Sequence, residues 1–358
     1  MTEVDLYNLS PTARLLGVGF FIALVPLLWT YFKNRGANVH RKMRSLVVLT
    51  LFLTFDLVLF GSFTRLTDSG LGCPDWPGCY GHASPIGADA HIDAAVAVMP
   101  TGPVTHNKAW IEMIHRYLAM SVGFLILVLA FSSTWQKFKG LLTTDDTWQV
   151  RPAWAWFTLF WVCMQGAFGA WTVTMLLKPA IVTGHLIGGM TILGMLTWLW
   201  LRQTSPARTV APPRDLSGLR VLARVGFVAV AAQIILGGWV STNYAAVVCT
   251  DFPTCQGSFW PHMEFKDAFH IVRHLGETPE GEILNVASLT AIHFIHRIGA
   301  LVVTGILGFL AFALWRNPGT KPLAIKLVAV LALQIAMGIG NVVFQLPLWL
   351  AVAHNGGA

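Results

Sequence analysis

Two short stretches of the sequence combine ionisable side chains with a spacing that suits chemistry inside a membrane. Residues 112–116 read Glu-Met-Ile-His-Arg, and residues 293–297 read His-Phe-Ile-His-Arg. Residues three apart share one face of a helix, so Glu112 lies beside His115 in the first stretch. Ionisable groups inside a bilayer are energetically costly and are therefore a sign of function. The carboxylate in one copy and the imidazole in the other predict two sites with different chemistry.

Four histidines are candidate iron ligands because each is predicted near the outer end of a membrane helix, two in each half of the chain. They are His115, His185, His296 and His354. Neutral imidazole is a common axial ligand of haem iron, and two helices of one bundle can supply both axial ligands. Any one of them, taken alone, is equally well explained as a helix-end histidine bonded to a loop carbonyl. Their repetition at related positions favours metal ligation.

Three further charged or polar positions accompany these histidines. Arg116 and Arg297 are candidate contacts for haem propionates, since a guanidinium can bind a carboxylate through two parallel hydrogen bonds; the alternative is that they reach the lipid headgroups. A desolvated Glu112 can act as general base, proton relay or charge partner, or it can simply complement the helix dipole. We favour a catalytic Glu112, because the second copy has His293 at that position.

Four cysteines form two equally spaced pairs, Cys73 with Cys79 and Cys249 with Cys255. Two short disulfides are the simplest interpretation, and each would contribute roughly 2 kcal/mol in the chain-entropy model. A redox-active thiol pair is the alternative. We favour a structural bond for the second pair, whereas both interpretations stay open for the first. Cys163 lies in a predicted helix and is expected to be inert apolar filler.

The composition indicates an all-α integral membrane protein. The chain has 358 residues, of which 55% are hydrophobic and 11% charged, whereas a soluble domain carries roughly 25% charged residues. The first apolar run lacks the basic start of a cleavable signal peptide, so we expect it to be a membrane helix. Long apolar runs predict helices near residues 13–32, 43–62, 109–134, 153–176, 180–201, 219–242, 288–315 and 322–346. A last run ends at Ala358 and is too short to span a bilayer.

The net charge of +7 is concentrated in alternate loops between the predicted helices. The basic loops contain Lys33, Arg35, Arg41, Lys42 and Arg44, then Lys137, Lys139 and Arg151, then Arg202, Arg208, Arg214 and Arg220, and finally Arg316 and Lys321. This positive-inside pattern predicts that these loops face the cytoplasm and that both cysteine pairs lie on the opposite side. It also argues against nucleic acid as a partner.

An internal repeat divides the sequence. Cys73 and Cys79 recur 176 residues later, as does Gly61, while Gln165, Gly169 and His185 recur 169 residues later as Gln334, Gly338 and His354. Both copies begin on the same predicted side, so the repeat is parallel. We therefore predict two pseudo-symmetric four-helix transmembrane bundles plus one extra N-terminal helix. The predicted domains are 1–40 (the additional helix), 41–205 (the N-terminal half) and 206–358 (the C-terminal half, with an incomplete last helix).

As a set, these motifs resemble the haem A synthase family, the membrane enzymes that convert haem O to haem A for cytochrome oxidase. The resemblance covers nearly all of the chain after the first helix. It rests on Gly-Ser-Phe-Thr-Arg-Leu-Thr at 61–67, Ser-Gly-Leu at 69–71, Cys-Pro-Asp-Trp-Pro at 73–77, Glu-x-x-His-Arg at 112–116, His-x-x-His-Arg at 293–297 and His-Asn-Gly-Gly at 354–357.

The resemblance implies a haem B cofactor held by His296 and His354, and a haem O substrate near His115 and His185. It implies that Glu112 is needed for catalysis and that the cysteines pair within each loop, as Cys73–Cys79 and Cys249–Cys255. The implied reaction oxidises the C8 methyl group of haem O to a formyl group by successive hydroxylation and loss of water, with water as the oxygen source. The electron acceptor is not specified by these residues.

The same resemblance places the chain in the bacterial cytoplasmic membrane, with the cysteine loops on the periplasmic side. Its expected partners are the lipid bilayer, a haem O synthase, cytochrome oxidase assembly factors and a second copy of the chain. The main alternative function is a non-catalytic di-haem b-type electron carrier, which would need no Glu112 in one half only. Two further functions are compatible with the sequence, a transporter with duplicated halves and a quinone-linked thiol oxidase built on the loop cysteines.

Overall fold

A computed structural model describes residues 10–141, 150–204 and 216–358, and all regular elements in these ranges are helical. Three isolated β-bridges occur in the loops of these described ranges. The α-helices are α1 (Ser10–Lys33), α2 (Val39–Leu66), α3 (Asp89–Val98), α4 (His106–Phe138), α5 (Pro152–Thr174), α6 (Pro179–Thr204), α7 (Ser217–Thr242), α8 (Val286–Trp315), α9 (Lys321–Val343) and α10 (Leu348–Gly357). Short 3₁₀ turns occupy Pro85–Ala88, Ala245–Val247 and Pro318–Thr320.

Seven of the described helices are long and apolar enough to cross a membrane, namely α1, α2, α4, α6, α7, α8 and α9. Helix α5 has 23 residues but is not in this set, and α10 has ten residues. The prediction of an all-α integral membrane protein is confirmed. The two pseudo-symmetric bundles and the predicted domains stay predictions, and the boundary at 205–206 lies outside the described residues, as do Arg208 and Arg214.

The chain forms two compact units, and the division falls within α6. One unit lies within Met1–Leu176 and Gly188–Ala207, and the other within Leu177–Ile187 and Arg208–Ala358. The first turns of α6 therefore belong to the second unit and its remainder to the first.

Helix α4 is the central element of the first unit and packs against α1, α2 and α5. Val122, Leu125, Ile126 and Leu129 recur at helical spacing on α4 and are almost completely buried in an apolar cluster. The helix begins after Thr105, whose side-chain oxygen accepts a hydrogen bond from the backbone N–H of Lys108. This start and this packed face fix the axial position and rotation of α4, and with them the side chains of residues 112–116.

Helix α8 has the corresponding position in the second unit, where it packs against α7 and α9, and α9 packs against α10. Asn285 caps α8 by accepting a hydrogen bond of 2.7 Å from the backbone N–H of Ser288. The Ser288 hydroxyl donates a hydrogen bond of 2.6 Å to the carboxylate of Glu264 in the loop. This bond contributes most to holding the pKa of Glu264 below its ordinary value. The cap and this bond fix where α8 begins, and they thereby fix the directions in which the side chains of His293 and His296 project from the helix.

Two loops that contain the cysteines are built alike, and we call them the first cysteine loop (residues 67–105) and the second cysteine loop (residues 243–285). Asp75 accepts hydrogen bonds from the backbone N–H groups of Tyr80 and Gly81 at 2.6 and 2.7 Å. Asp251 does the same for Gln256 and Gly257 at 2.7 and 2.9 Å. A hydrogen bond from Thr254, then these backbone bonds, hold the pKa of Asp251 below its ordinary value.

Both cysteine pairs form disulfides, as the sequence predicted, with Cα–Cα distances of 4.9 Å for Cys73–Cys79 and 4.8 Å for Cys249–Cys255. All four side chains are buried. Cys163, by contrast, is an exposed free thiol on α5. Its interpretation as inert apolar filler stays a prediction.

Changing Cys249 and Cys255 together to serine should lower the free energy of unfolding by about 2 kcal/mol, because the closed ring no longer restricts the unfolded chain. Thermal unfolding followed by circular dichroism in detergent measures the effect. The control is Cys163→Ser, which changes an exposed thiol and should leave the midpoint in place. Equal midpoints for both variants would contradict a structural role for the Cys249–Cys255 bond.

Candidate functional site

Glu112 is a buried carboxylate at the junction of α4 and the first cysteine loop, with 4% of its surface exposed. Its Oε2 atom accepts a hydrogen bond of 2.8 Å from the backbone N–H of Cys73. Its Oε1 atom forms an ion pair of 2.5 Å with Arg116, one helical turn further along α4. The carboxylate therefore connects the helix to the disulfide-bonded ring of the loop.

Arg116 is buried with Glu112 and holds the same loop through its carbonyl groups. Its Nη1 atom donates to the carbonyl oxygens of Asp75 and Pro77 at 3.0 and 3.2 Å and to that of Gly78. The guanidinium is thus used for loop carbonyls and one carboxylate. The predicted propionate contact of Arg116 stays a prediction.

Arg297 repeats this arrangement in the second unit. It donates to the carbonyl oxygens of Thr254, Cys249 and Asp251 at 2.8, 3.3 and 3.1 Å. Its Nε atom is buried and has no hydrogen-bond partner among the described residues. A propionate contact of Arg297 likewise stays a prediction, and this atom is the donor that such a contact could use.

His293 occupies the position that corresponds to Glu112 but makes a different bond. Its Nδ1 atom lies 2.9 Å from the carbonyl oxygen of Ala245. A carbonyl can only accept, so Nδ1 carries the hydrogen and the neutral ring has its lone pair on Nε2. One half therefore has a buried carboxylate paired with arginine, and the other has a buried imidazole bonded to the backbone. The predicted difference in chemistry between two sites stays a prediction, which these different contacts support.

His115 lies against a glycine of the neighbouring helix. A Cβ atom at Gly61 of α2 would be 3.0 Å from its Nε2 atom, which is tighter than an ordinary contact. The imidazole also stacks on Phe60, with ring centroids 6.4 Å apart and planes 11° from parallel. Gly61 is therefore needed to seat this ring at this depth.

Under the activity that the resemblance implies, Gly61→Ala should slow haem A formation roughly tenfold, because displacing a reacting group by a fraction of an ångström is costly. The haem B that the resemblance assigns to His296 and His354 should be retained, since both histidines belong to the second unit and Gly61 to the first. Chromatography of the extracted haems measures both quantities. The matched control is Gly123→Ala on α4, where a Cβ would contact nothing within 4 Å. An equal loss of haem A formation in both variants would contradict the need for glycine at position 61 beside His115.

The second unit contains two more histidine rings that pack closely against a glycine of a neighbouring helix. A Cβ at Gly237 of α7 would lie 3.0 Å from Cε1 of His296, and one at Gly338 of α9 would lie 3.1 Å from Cε1 of His354. Within the described chain, the Nδ1 atom of His354 is buried and has no hydrogen-bond partner.

These donors fit a haem iron. Two imidazoles, each packed against a glycine of a neighbouring helix, are of the type that can serve as the two axial ligands of a haem, and an unpaired buried ring nitrogen is explained if it faces a bound group. In the described ranges there is no cluster of three or more His, Cys, Asp or Glu side chains that could hold a bare metal ion. A haem needs only the two axial ligands, so pairs of histidines are the relevant feature.

His185 lies in the first turns of α6, which belong to the second unit, whereas His115 belongs to the first unit. Thr183 of the same turn shares a hydrogen bond of 3.1 Å with Thr242 at the end of α7. The predicted pairing of His115 with His185 around one substrate stays a prediction.

Comparison with known proteins adds to this geometry. The family model for COX15-CtaA, described as cytochrome oxidase assembly protein, matches residues 44–358. The chain belongs to this family. The match includes both cysteine loops and all four candidate histidines, whereas α1 lies before it.

Individual relatives agree with this membership. A protein named Heme A synthase from Shewanella oneidensis is 41% identical over 313 residues, which is 87% of this chain and 91% of the relative. Relatives of the same name from Sphingopyxis alaskensis and Maricaulis maris are each 28% identical, over 85% and 89% of this chain and 84% and 92% of their own lengths. The resemblance inferred from the motifs is thereby confirmed.

Sequence reasoning missed several residues around these sites. Gln233 donates a hydrogen bond to the backbone carbonyl of His296, and Gln334 donates one to that of His354. Asp75 and Asp251 hold their cysteine loops together by accepting hydrogen bonds from backbone N–H groups. A signal was available for Gln334, which recurs with His354 at the spacing of Gln165 and His185. Helix α3 was also missed, although Ala-rich residues 89–98 favour a helix.

Proposed function

We propose that this chain is a haem A synthase, an oxidoreductase that oxidises the C8 methyl group of haem O to a formyl group. Membership of the cytochrome oxidase assembly family and the shared name of its relatives support this function. The structural observation that carries it is the buried Glu112 paired with Arg116. The equivalent position in the second copy of the sequence motif is occupied by His293, which is bonded to a backbone carbonyl. A carrier of electrons alone has no need for such a carboxylate in one half only.

In this proposal His296 and His354 hold haem B, which supplies one-electron transfer when bound. The chain's part is to fix both imidazoles, and Gly237 and Gly338 provide the space in which these rings lie. Arg297 is the candidate contact for a haem propionate, through its unpaired Nε atom.

The substrate haem O binds in this proposal near His115 and His185, with Arg116 as a candidate propionate contact. Glu112 is the candidate proton acceptor. Each carboxylate oxygen has a second lone pair beyond the bond to Arg116 or Cys73, so the group can take a proton without first leaving its partners. Arg116 stabilises the ionised form, and the first cysteine loop limits access of bulk water to this carboxylate, which is 4% exposed.

The proposed oxidation converts a methyl group and one water to a formyl group and releases four electrons and four protons. Water as oxygen source gives the acid–base group a role in each step, since protons must leave the substrate carbon and the oxygen. The electron acceptor is a further component that the residues do not identify.

The proposed setting is the bacterial cytoplasmic membrane, with the cysteine loops on the periplasmic side. The distribution of the described basic residues supports it, since Lys33, Arg41 and Arg44 lie at one end of α1 and α2, and the first cysteine loop lies at the other end of α2. Haem O would come from a haem O synthase, and the product would pass to cytochrome oxidase assembly factors. A homo-oligomer is part of this proposal.

Haem extraction from the purified full chain, co-expressed with a haem O supply, tests the function. Haem A or hydroxylated haem O together with haem B is the expected result. Two haem B groups per chain with no modified haem would instead favour the di-haem electron carrier. A complete lack of haem would contradict both functions and favour the transporter.

A further inference from the structure

Gln233 of α7 is a polar side chain that reaches across to His296 of α8. Its Nε2 atom lies 2.9 Å from the carbonyl oxygen of His296 and 3.0 Å from the Nδ1 atom of the same residue. One amide group thus contacts both the backbone and the ring of a candidate ligand. The Oε1 atom of Gln233 is buried and has no partner among the described residues.

Gly299 makes this contact possible. It follows His296 by three residues, and a Cβ atom added there would overlap the Oε1 atom of Gln233. The amide therefore lies directly on the backbone of α8, one turn beyond the histidine. Any side chain at position 299 would force the amide to move, because its Cβ atom would occupy the space of Oε1.

A similar combination, without the contact to the ring, occurs on α9 and α10. Gln334 donates from Nε2 to the carbonyl oxygen of His354 at 2.7 Å, and a Cβ at Gly357 would overlap its Oε1 atom. Gln334 precedes His354 by 20 residues, as Gln165 precedes His185, and both histidines are followed three residues later by glycine. A Cβ at that glycine in the first unit, Gly188, would likewise overlap Gln165.

His115 lacks this combination. The third residue after it is Leu118, and the position that corresponds to Gln233, at the offset that relates Gly237 to Gly61, holds Leu57. The combination of glutamine and glycine therefore accompanies three of the four candidate ligands, including both proposed ligands of haem B. A glutamine inside an apolar helix is expensive, so its repetition beside histidines indicates a shared task.

We propose that Gln233 and Gln334 are positioning residues for His296 and His354. Glycine at positions 299 and 357 leaves the space in which the two amide groups reach these histidines. This inference rests on the proposed haem B site. Metal-bound histidines almost always have their second ring nitrogen bonded to a neighbouring group, which fixes the tautomer and the ring orientation. Gln233 is the neighbour that serves the Nδ1 atom of His296, so Nε2 is the atom that binds iron.

The Gln233 amide can also set the proton on the ring. In the observed orientation Nε2 donates, so Nδ1 accepts and the neutral ring carries its proton on Nε2. With the amide turned by about 180°, Oε1 accepts a hydrogen bond from Nδ1–H, and the Nε2 lone pair of the ring is left for iron. The same turn removes the hydrogen bond that Gln233 donates to the carbonyl oxygen of His296, so the amide must also move away from that oxygen.

Gln233→Leu tests the proposal, because it installs the residue that the first unit has at this position. Haem B should transfer from the purified full chain to apomyoglobin roughly tenfold faster than from the wild type, the usual size of such an effect on a metal ligand. The low-spin electron paramagnetic resonance signal, which reports the relative orientation of the two imidazole planes, should shift as well. Gly299→Ala should produce both changes by displacing the same amide.

Gly305→Ala on the same helix is the matched control, since a Cβ there contacts nothing within 4 Å. The double variant Gln233→Leu/Gly299→Ala should resemble Gln233→Leu alone, because both changes act on one amide. Wild-type retention and an unchanged signal in Gln233→Leu, or fully additive effects in the double variant, would overturn the positioning role while leaving the proposed function intact. A wild-type chain that binds no haem would overturn both.

Discussion

Glu112→Gln should lower haem A formation by roughly 100- to 10,000-fold, the usual contribution of a positioned general base. Glutamine is nearly isosteric and can still accept a hydrogen bond from Arg116, but it cannot take a proton. Haem B content should stay at the wild-type level, because its proposed ligands, His296 and His354, belong to the second unit. Chromatography of extracted haems from matched amounts of protein measures both.

Loss of the charge also has a structural effect that must be separated from catalysis. The variant leaves Arg116 buried without its counter-ion, and breaking one side of a buried pair costs about 3–5 kcal/mol. The double variant Glu112→Gln/Arg116→Gln removes both charges and keeps amide donors for the carbonyls of the first cysteine loop. If Glu112 only neutralises Arg116, the double variant should regain activity. If Glu112 handles protons, the double variant should be as inactive as the single one.

Much of the fold follows from local sequence signals. Long apolar runs predict the membrane helices, and the predicted run at 109–134 falls inside α4 (His106–Phe138). The equal spacing of the cysteines predicts pairing within each loop, because a ring that small needs no distant part of the chain. The motif at 112–116 likewise places Glu112, His115 and Arg116 on adjacent turns, since helix geometry alone relates residues three and four apart.

The partners of these side chains could not be predicted in the same way. Side-chain chemistry makes Arg116 and Arg297 candidate propionate contacts, and this stays a prediction, but it gives no sign of the carbonyl oxygens in the cysteine loops to which both are bonded in the structure. Whether a guanidinium meets a ligand or the backbone depends on how the loop folds over the helix end. That fold is set by Asp75 and Asp251, whose bonds to backbone N–H groups have no periodic signal.

Long-range contacts explain the other omissions. Gln233 lies 63 residues from His296 in sequence, so no local pattern relates them, and only the packing of α7 on α8 brings them together. Gly299 is recognised as necessary only when the amide that lies on it is known. The sequence thus indicates which residue types are unusual in a membrane helix, and packing determines what each of them contacts.

His296→Gly should remove haem B from the purified chain, with a loss larger than the roughly 10- to 100-fold that changes to a ligand's neighbours produce. Haem A formation should fall with it, because the proposed electron path is lost. The substitution leaves a space of imidazole size beside Gly237, since a ring atom of His296 now lies 3.0 Å from where a Cβ of Gly237 would be. Adding free imidazole during expression should therefore restore haem B and its low-spin spectrum.

His293→Gln is the matched control for this variant because it changes the other histidine of the same helix turn. A glutamine amide can replace the hydrogen bond that His293 donates to the carbonyl of Ala245, so the second cysteine loop should keep its place and haem B should remain bound. Both variants change one buried imidazole of α8, so a general effect on folding would reduce haem content in both. Haem loss confined to His296→Gly, and reversed by imidazole, requires a bond between that ring and the iron. If haem is retained in His296→Gly but lost in His293→Gln, then His293 and not His296 is the iron ligand.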